Sequence, residues 1–422
     1  MIPSIAFSVP DIAAEAKIQL KALDSGEDIA CISSTVNNGK TVNIPAVPYI
    51  AAGIAGAALV LTGISAFGAA AGAGSAAGGG AGTISPSFTE VLGYFQGMAI
   101  NGMMSANLPP VYRSFTKNFA FSTGLVPFTA VQEGIDSFRG KTGGDLSTDS
   151  VALLRNTTLI FQDGSNQSST KVKRAFVDAM LYIRDELATN INADATTAGP
   201  AQEESMQKAV SGITAYAEQL MIPKSNTFLT VSLVAAIVIA AIIVGILLFK
   251  LVLEGWALFG SFPKSLVGFR KHYWQTMSRT IVSLILVLYG VWVLYCIFQF
   301  TQGDSWAAQA LAGVSLAVFT GVLAFFIFKI WKTARELKKN DGDASALYDD
   351  KETWLKYSIF YDSYKKDFWW VFIPVIVYML AKGIILAGLN GKGLPQAIGQ
   401  LIVEALSKFI PCHFLTTSFN II

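Results

Sequence analysis

The chain has 422 residues, of which 52% are hydrophobic and only 14% charged, about half the usual globular share of charge. Lysines and arginines number 31 against 29 acids, and the formal net charge of +2 provides no basic field for nucleic acid. Three widely spaced cysteines (Cys31, Cys296, Cys412) and two histidines (His272, His413) exclude a disulfide framework, a metal cluster and the common nucleophile–base sets, so neither an enzyme nor a bound prosthetic group is expected.

Residues 1–46 read as β structure. AKIQLKAL alternates polar and apolar residues, and Asn38-Gly39 between ISSTVN and KTVNI is a type I′ hairpin signal. About 45 residues are too few for a stable sandwich. Met1-Ile2-Pro3-Ser4 has no signal-peptide pattern, and a lone Cys31 points to a disulfide partner elsewhere, so this piece reads as the end of a larger domain. Residues 47–70 form the first expected span, charge-free and with Gly53, Gly56 and Gly63 for close helix packing. A Gly/Ala-rich linker follows at 71–86. It lacks the strand context and the lysine of a phosphate loop. Residues 87–108 are the weakest span, interrupted by Glu90 and Asn101.

Residues 109–225 form an extramembrane loop domain. Its aromatic stretch Val111–Phe128 is followed by a helical candidate at Lys171–Leu187, an Ala/Thr/Gly turn at Ala193–Ala201 and an amphipathic helix at Gln202–Leu220. It carries two glycosylation sequons, at Asn156 and Asn166.

From residue 226 to 422 the chain is a membrane bundle. Asn226–Phe249 is apolar on every helical face, and about 20 such residues at about 1.5 Å each cross a hydrocarbon core of about 30 Å. Thr280–Thr301, Ala307–Phe328, Phe368–Asn390 (with a kink expected at Pro374) and Leu394–Ile410 meet or approach the same criterion, for about seven crossings in all. The loop Lys250–Arg279 and the stretch Lys332–Lys366 are rich in Lys and Arg, whereas Gln302–Trp306 has none. Short basic loops face the cytosol, so Asn226 starts on the luminal side and residues 109–225 are luminal.

Charge inside the bilayer is expensive and marks function. Glu404 with Gln396 and Gln400 forms an i, i+4, i+8 polar stripe, and with Lys382 these four are the candidate lining of an ion or solute path. The alternative is a structural ion pair of Glu404 with Lys408 or Lys382, and Lys382 could also snorkel to a headgroup. Trp369 and Trp370, with Tyr361 and Tyr364, fit an aromatic belt. Arg113 and Lys117, among Tyr112, Phe115 and Phe119, suit a contact with headgroups. No selectivity-filter sequence is visible.

The blocks LPPVYRSFTKNFAFSTGLV (Leu108–Val126), IDSFRGKTGG (Ile135–Gly144) and NTTLIF (Asn156–Phe161) occur in an order that resembles the fungal TRP-like family, which includes the flavin carrier proteins and fungal polycystin relatives. The resemblance implies an all-α polytopic TRP-like bundle preceded by the last strands of an ML-like sandwich, and it implies that 87–108 is a true crossing. It further implies transport of FAD into the endoplasmic reticulum, conduction of calcium, or both, at the endoplasmic reticulum or plasma membrane. FAD would then be a transported solute. A lipid or sterol ligand of the ML-like domain and a second copy of the chain are the other expected partners. The alternative function is a lipid-binding or structural cell-envelope protein without transport. Most of the family's ML-like domain and its later spans have no counterpart in these 422 residues.

Overall fold

In a computed structural model the described residues are 10–11, 13–21, 28–37, 40–44, 46–70, 88–162, 166–168, 206–259, 273–341, 346–349, 351–362, 364 and 366–419. The linker at 71–86, the helix expected at Lys171–Leu187, the turn at Ala193–Ala201 and the Asn38-Gly39 pair lie outside them.

The strands β1 (Ala13–Lys21) and β2 (Asp28–Asn37) form an antiparallel hairpin. Residues 40–44, which a hairpin at Asn38-Gly39 would make its second strand, are not a strand. The reason is tertiary. The Val42 amide donates to the Asp11 carboxylate and its carbonyl accepts from the Asn118 side chain, so this stretch ties the hairpin to the next domain.

Helix α1 (Ala46–Ala70) buries Ala51, Ala55 and Ala58 against α2 (Phe88–Gly102). At 15 residues α2 is about 22 Å long, shorter than the expected 87–108 crossing. Met103–Leu108 instead forms a turn. After it come α3 (Pro110–Lys117), a 3-10 turn at Ala120–Thr123, α4 (Thr129–Lys141) and α5 (Val151–Arg155). The strands β3 (Thr157–Ile160), β4 (Asn166–Ser168) and β5 (Met206–Ala209) form a small mixed sheet in the order β4-β3-β5. The amphipathic helix expected over Gln202–Leu220 is thus a strand followed by α6 (Gly212–Glu218). Parallel pairing with β3 holds 206–209 extended, and Gly212 at φ +62 breaks the chain before α6.

The bundle consists of α7 (Thr227–Phe259), α8 (Tyr273–Gln302), α9 (Trp306–Asp341), α12 (Phe372–Gly388) and α13 (Gly393–Phe419). Four helices among the described residues are long and apolar enough to cross a membrane: Lys224–Trp256, Met277–Gln302, Trp306–Lys339 and Phe368–Gly388. Together with the spacing of α1, α2 and α13, this is a helical membrane bundle. Helix α8 is its central post. Val291 through Cys296 are all buried, which covers every face, and α12, α9 and α7 pack around it. Gly383 permits the closest approach, because a Cβ there would meet Val293 Cγ1 at 2.9 Å. By contrast α7 exposes Val244, Leu247, Leu248, Leu251 and Val252, as a lipid-facing helix does.

At the basic end, α10 (Ala346–Asp349) and α11 (Lys351–Tyr361) pack Leu347, Phe360 and Tyr361 against the ends of α8, α9 and α12. No kink occurs at Pro374. It sits in the first turn of α12, where its missing N–H costs nothing. The break lies earlier, at Phe368 in the 3-10 turn Lys366–Val371. Trp369 there meets Trp331 edge-on at 5.8 Å, in keeping with an aromatic belt at this end.

Candidate functional site: a membrane ion pair beneath a clamped cap

The four expected lining residues lie together on the seam between α12 and α13. Lys382 Nζ is 2.8 Å from Glu404 Oε1 and 2.9 Å from the Tyr378 hydroxyl, which itself donates to Glu404 Oε1 at 2.5 Å. Lys382 is thus paired with Glu404 rather than left to snorkel alone. With helix rise about 1.5 Å per residue, Lys382 lies roughly 9 Å from the Gly388 end of α12, inside the span Phe368–Gly388, and Glu404 roughly 16 Å from the Gly393 end of α13. A lone charge at that depth is costly, and the pair with its bridging phenol offsets the cost. The pair is not sealed: the Lys382 and Glu404 side chains keep 27% and 40% of their surface. An ionic group open at a helix seam within a bilayer is the usual mark of a solute or proton path.

The two glutamines are more deeply placed. Gln396 is fully buried, accepts from the Ser105 amide at 2.6 Å and donates to the Leu386 carbonyl at 2.7 Å. Gln400 donates to the Lys382 carbonyl at 3.1 Å, while its Oε1 is buried without a hydrogen-bond partner among the described residues. The stripe therefore faces α12, with Gln396 locking α13 to the turn after α2 and Glu404 at the open end.

The ends of α2, α7, α8, α9, α12 and α13 meet a cap formed by the described residues of 103–225 on one side of the bundle. At its centre Arg139 is fully buried. Its Nε and Nη2 grip Asp304 at 3.0 and 2.6 Å, and Nη1 reaches Asn226 Oδ1 at 2.7 Å and Asp136 at 3.2 Å. Arg139 thus joins α4 to the first turn of α7 and to the α8–α9 turn. Burial presses the Asp304 carboxyl upward, but the hydrogen bonds and charge of Arg139 and the Asp145 amide prevail and hold it below the usual carboxylate range. A second clamp joins the α12–α13 turn: Asn390 Oδ1 accepts from the Ile213 amide at 2.9 Å, and the Gly391 amide donates to Ser105 Oγ at 2.9 Å.

Between the clamps, the 3-10 turn after α3 wedges into the bundle. Gln96 donates to the Ser122 carbonyl and Tyr295 to Thr123 Oγ1 at 3.1 Å. Arg113 lies over the Phe161 ring at 4.1 Å, and Lys117 is half-buried. Burial lowers the Lys117 amine to about 8, with Asp11 opposing and Arg113 assisting. Arg113 is thus engaged by an aromatic ring of the cap itself. Asn156 is exposed on the cap, and Asn166 opens β4.

Sequence reasoning did not find Tyr378, Arg139, Asp304 or Asn390. One signal was present: Asp136 and Arg139 both fall in the IDSFRGKTGG block.

Residues 47–415 match the family described as transient receptor potential (TRP) ion channel, and residues 1–42 match the ML-like domain. Flavin carrier protein 2 of Saccharomyces cerevisiae is 26% identical over 97% of the chain and 51% of its own length. TRP-like ion channel protein flc1 of Cryptococcus neoformans is 27% identical over 96% of the chain and 53% of its own length. TRP-like ion channel pkd2 of Schizosaccharomyces pombe is 21% identical over 94% and 52%. The chain spans about half the length of the curated relatives it matches. No solved structure matches it.

Proposed function

Because the chain belongs to the transient receptor potential (TRP) ion channel family, we propose that it is an integral-membrane transporter or channel whose path runs along the α12–α13 seam past Glu404 and Lys382. The observation that carries this reading is the Lys382–Glu404–Tyr378 cluster, an ionic group at membrane depth that stays partly open. A carboxylate and an ammonium at one station suit either a cation that displaces Lys382 from Glu404 or an anionic solute that displaces Glu404 from Lys382. The relatives' names divide the same way, into flavin carriers and ion channels. We place the protein in the secretory pathway, in the endoplasmic reticulum or plasma membrane, with FAD or calcium as transported solute and the cap luminal.

Proteoliposomes carrying the protein test the reading, with FAD uptake and calcium uptake measured side by side. One of the two fluxes is expected, and Glu404→Gln should reduce it at least about tenfold, the effect of losing about 1.4 kcal/mol of interaction at the limiting step. Unchanged flux in that variant, or silence for both solutes, counts against it. A second reading rests on the ML-like match at residues 1–42: the N-terminal domain takes up a lipid or sterol. Binding of a fluorescent sterol by the protein in detergent, competed by unlabelled sterol, would support it.

A further inference from the structure

Glu218, in the last turn of α6, is a fully buried carboxylate that the path described above does not use. Its Oε1 lies 2.6 Å from Lys208 Nζ of β5, while Oε2 is buried with no hydrogen-bond partner among the described residues. Lys208 is shared. Its ammonium is also 3.6 Å from Asp149 Oδ1, so two buried carboxylates divide one contacting cation. Asp149 in turn holds the start of α7, for its Oδ2 accepts from the Ser225 amide at 2.9 Å and its carbonyl accepts two bonds from Arg139. Among the described residues no group of acids, cysteines or histidines is arranged to hold a metal ion.

We propose that Glu218 is a proton-binding site of the cap. The proton sits on the unpartnered Oε2, frees Lys208 to pair with Asp149 alone, and so reports the acidity of the compartment facing the cap to the first turn of α7. The charged groups that reach Glu218 from the packed elements are Lys208 of β5, Asp149 before α5 and Lys224 in the turn before α7. Burial, helped by Asp149, raises the carboxyl above its ordinary value, and the two lysines do not fully offset it. The sign follows from linkage. An acid with a raised folded-state pKa holds its proton more tightly folded than unfolded, so the associated stability is present at acid pH and is lost as pH rises through the folded value. Asp304 and Asp145 shift the opposite way and stay charged from about pH 5 to 7.5, so they do not mask the effect.

The test follows the thermal midpoint of the full protein in detergent from pH 7.5 to 5. Wild type is expected to gain stability on acidification, and Glu218→Gln should flatten that slope. Lys208→Met, which removes the main influence lowering the Glu218 pKa, should move the gain to higher pH. Hydrogen exchange at neutral pH adds a local readout, in which Glu218→Gln alters protection of the peptide holding Ser225 and Asn226. A flat wild-type profile, an unaltered slope in Glu218→Gln, or an unmoved transition in Lys208→Met overturns the proposal. Because these readouts need no transported solute, failure of the transport reading leaves them interpretable.

Discussion

The most consequential residue in the cap is Arg139, whose guanidinium satisfies five acceptors from three parts of the chain. Removing it leaves Asp136 and Asp304 buried or half-buried without their cation, a situation that typically costs about 3–5 kcal/mol. Arg139→Met should accordingly lower the thermal midpoint sharply. Arg139→Lys should recover only part of the loss, since an ammonium cannot reproduce the planar two-point grip on Asp304. If the lysine variant melted with wild type, the bidentate geometry would not matter. Lys117 offers a pH test of the opposite sign to Glu218. With its folded value lowered to about 8 from 10.5, the unfolded chain binds more protons between these limits. Stability should therefore rise as pH climbs from about 8 towards 10.5, and Lys117→Met should remove that rise. Little of this was legible in sequence. Arg139 and Asp304 are 165 positions apart, and no local pattern announces a partner at that distance.

At the scale of elements, the long apolar helices were legible because lipid forbids alternatives: a charge-free run of 20 residues must be helical and must cross. The failures occurred where packing against the cap overrides local pattern. The apolar stretch after Gly102 looked like the rest of a span, but Ser105 is pinned there by Gln396 and by the Gly391 amide. Likewise 206–209 looked helical until β3 offered it a ladder. The α12–α13 pair was half legible, because an intramembrane Lys382 demands a carboxylate and Glu404 was the available one. Its energetics can be separated by a double-mutant cycle. Lys382→Met alone removes the cation facing Glu404 and should destabilise, whereas Lys382→Met with Glu404→Gln should recover much of that loss. Additive losses in thermal or denaturant unfolding would mean that the two side chains are not coupled. A double variant that regains stability without regaining flux would mean that the pair is retained for transport.

For the whole molecule, the arrangement of ends is the decisive fact. The start of α7, the α8–α9 turn, the α12–α13 turn and the end of α2 all meet the cap, while α10 and α11 cover the other side of the bundle. Charge counting groups the same helix ends together, and which group faces the lumen is the point that glycosylation decides. Clamping these helix ends to a single domain means that a displacement of the cap reaches α2, α7, α8, α9, α12 and α13 together, rather than one helix at a time. This makes the side of the cap testable without any transport assay. Asn156 is exposed on the cap, so a luminal cap predicts a glycan there in a eukaryotic host. An endoglycosidase-sensitive mobility shift should disappear in Asn156→Gln with Asn166→Gln, and a sequon inserted after Asp341, at the basic end, should remain unmodified. Modification of the inserted site alone would invert the bundle, placing the cap and its Glu218 cluster in the cytosol and turning the proposed acid sensing toward the opposite compartment.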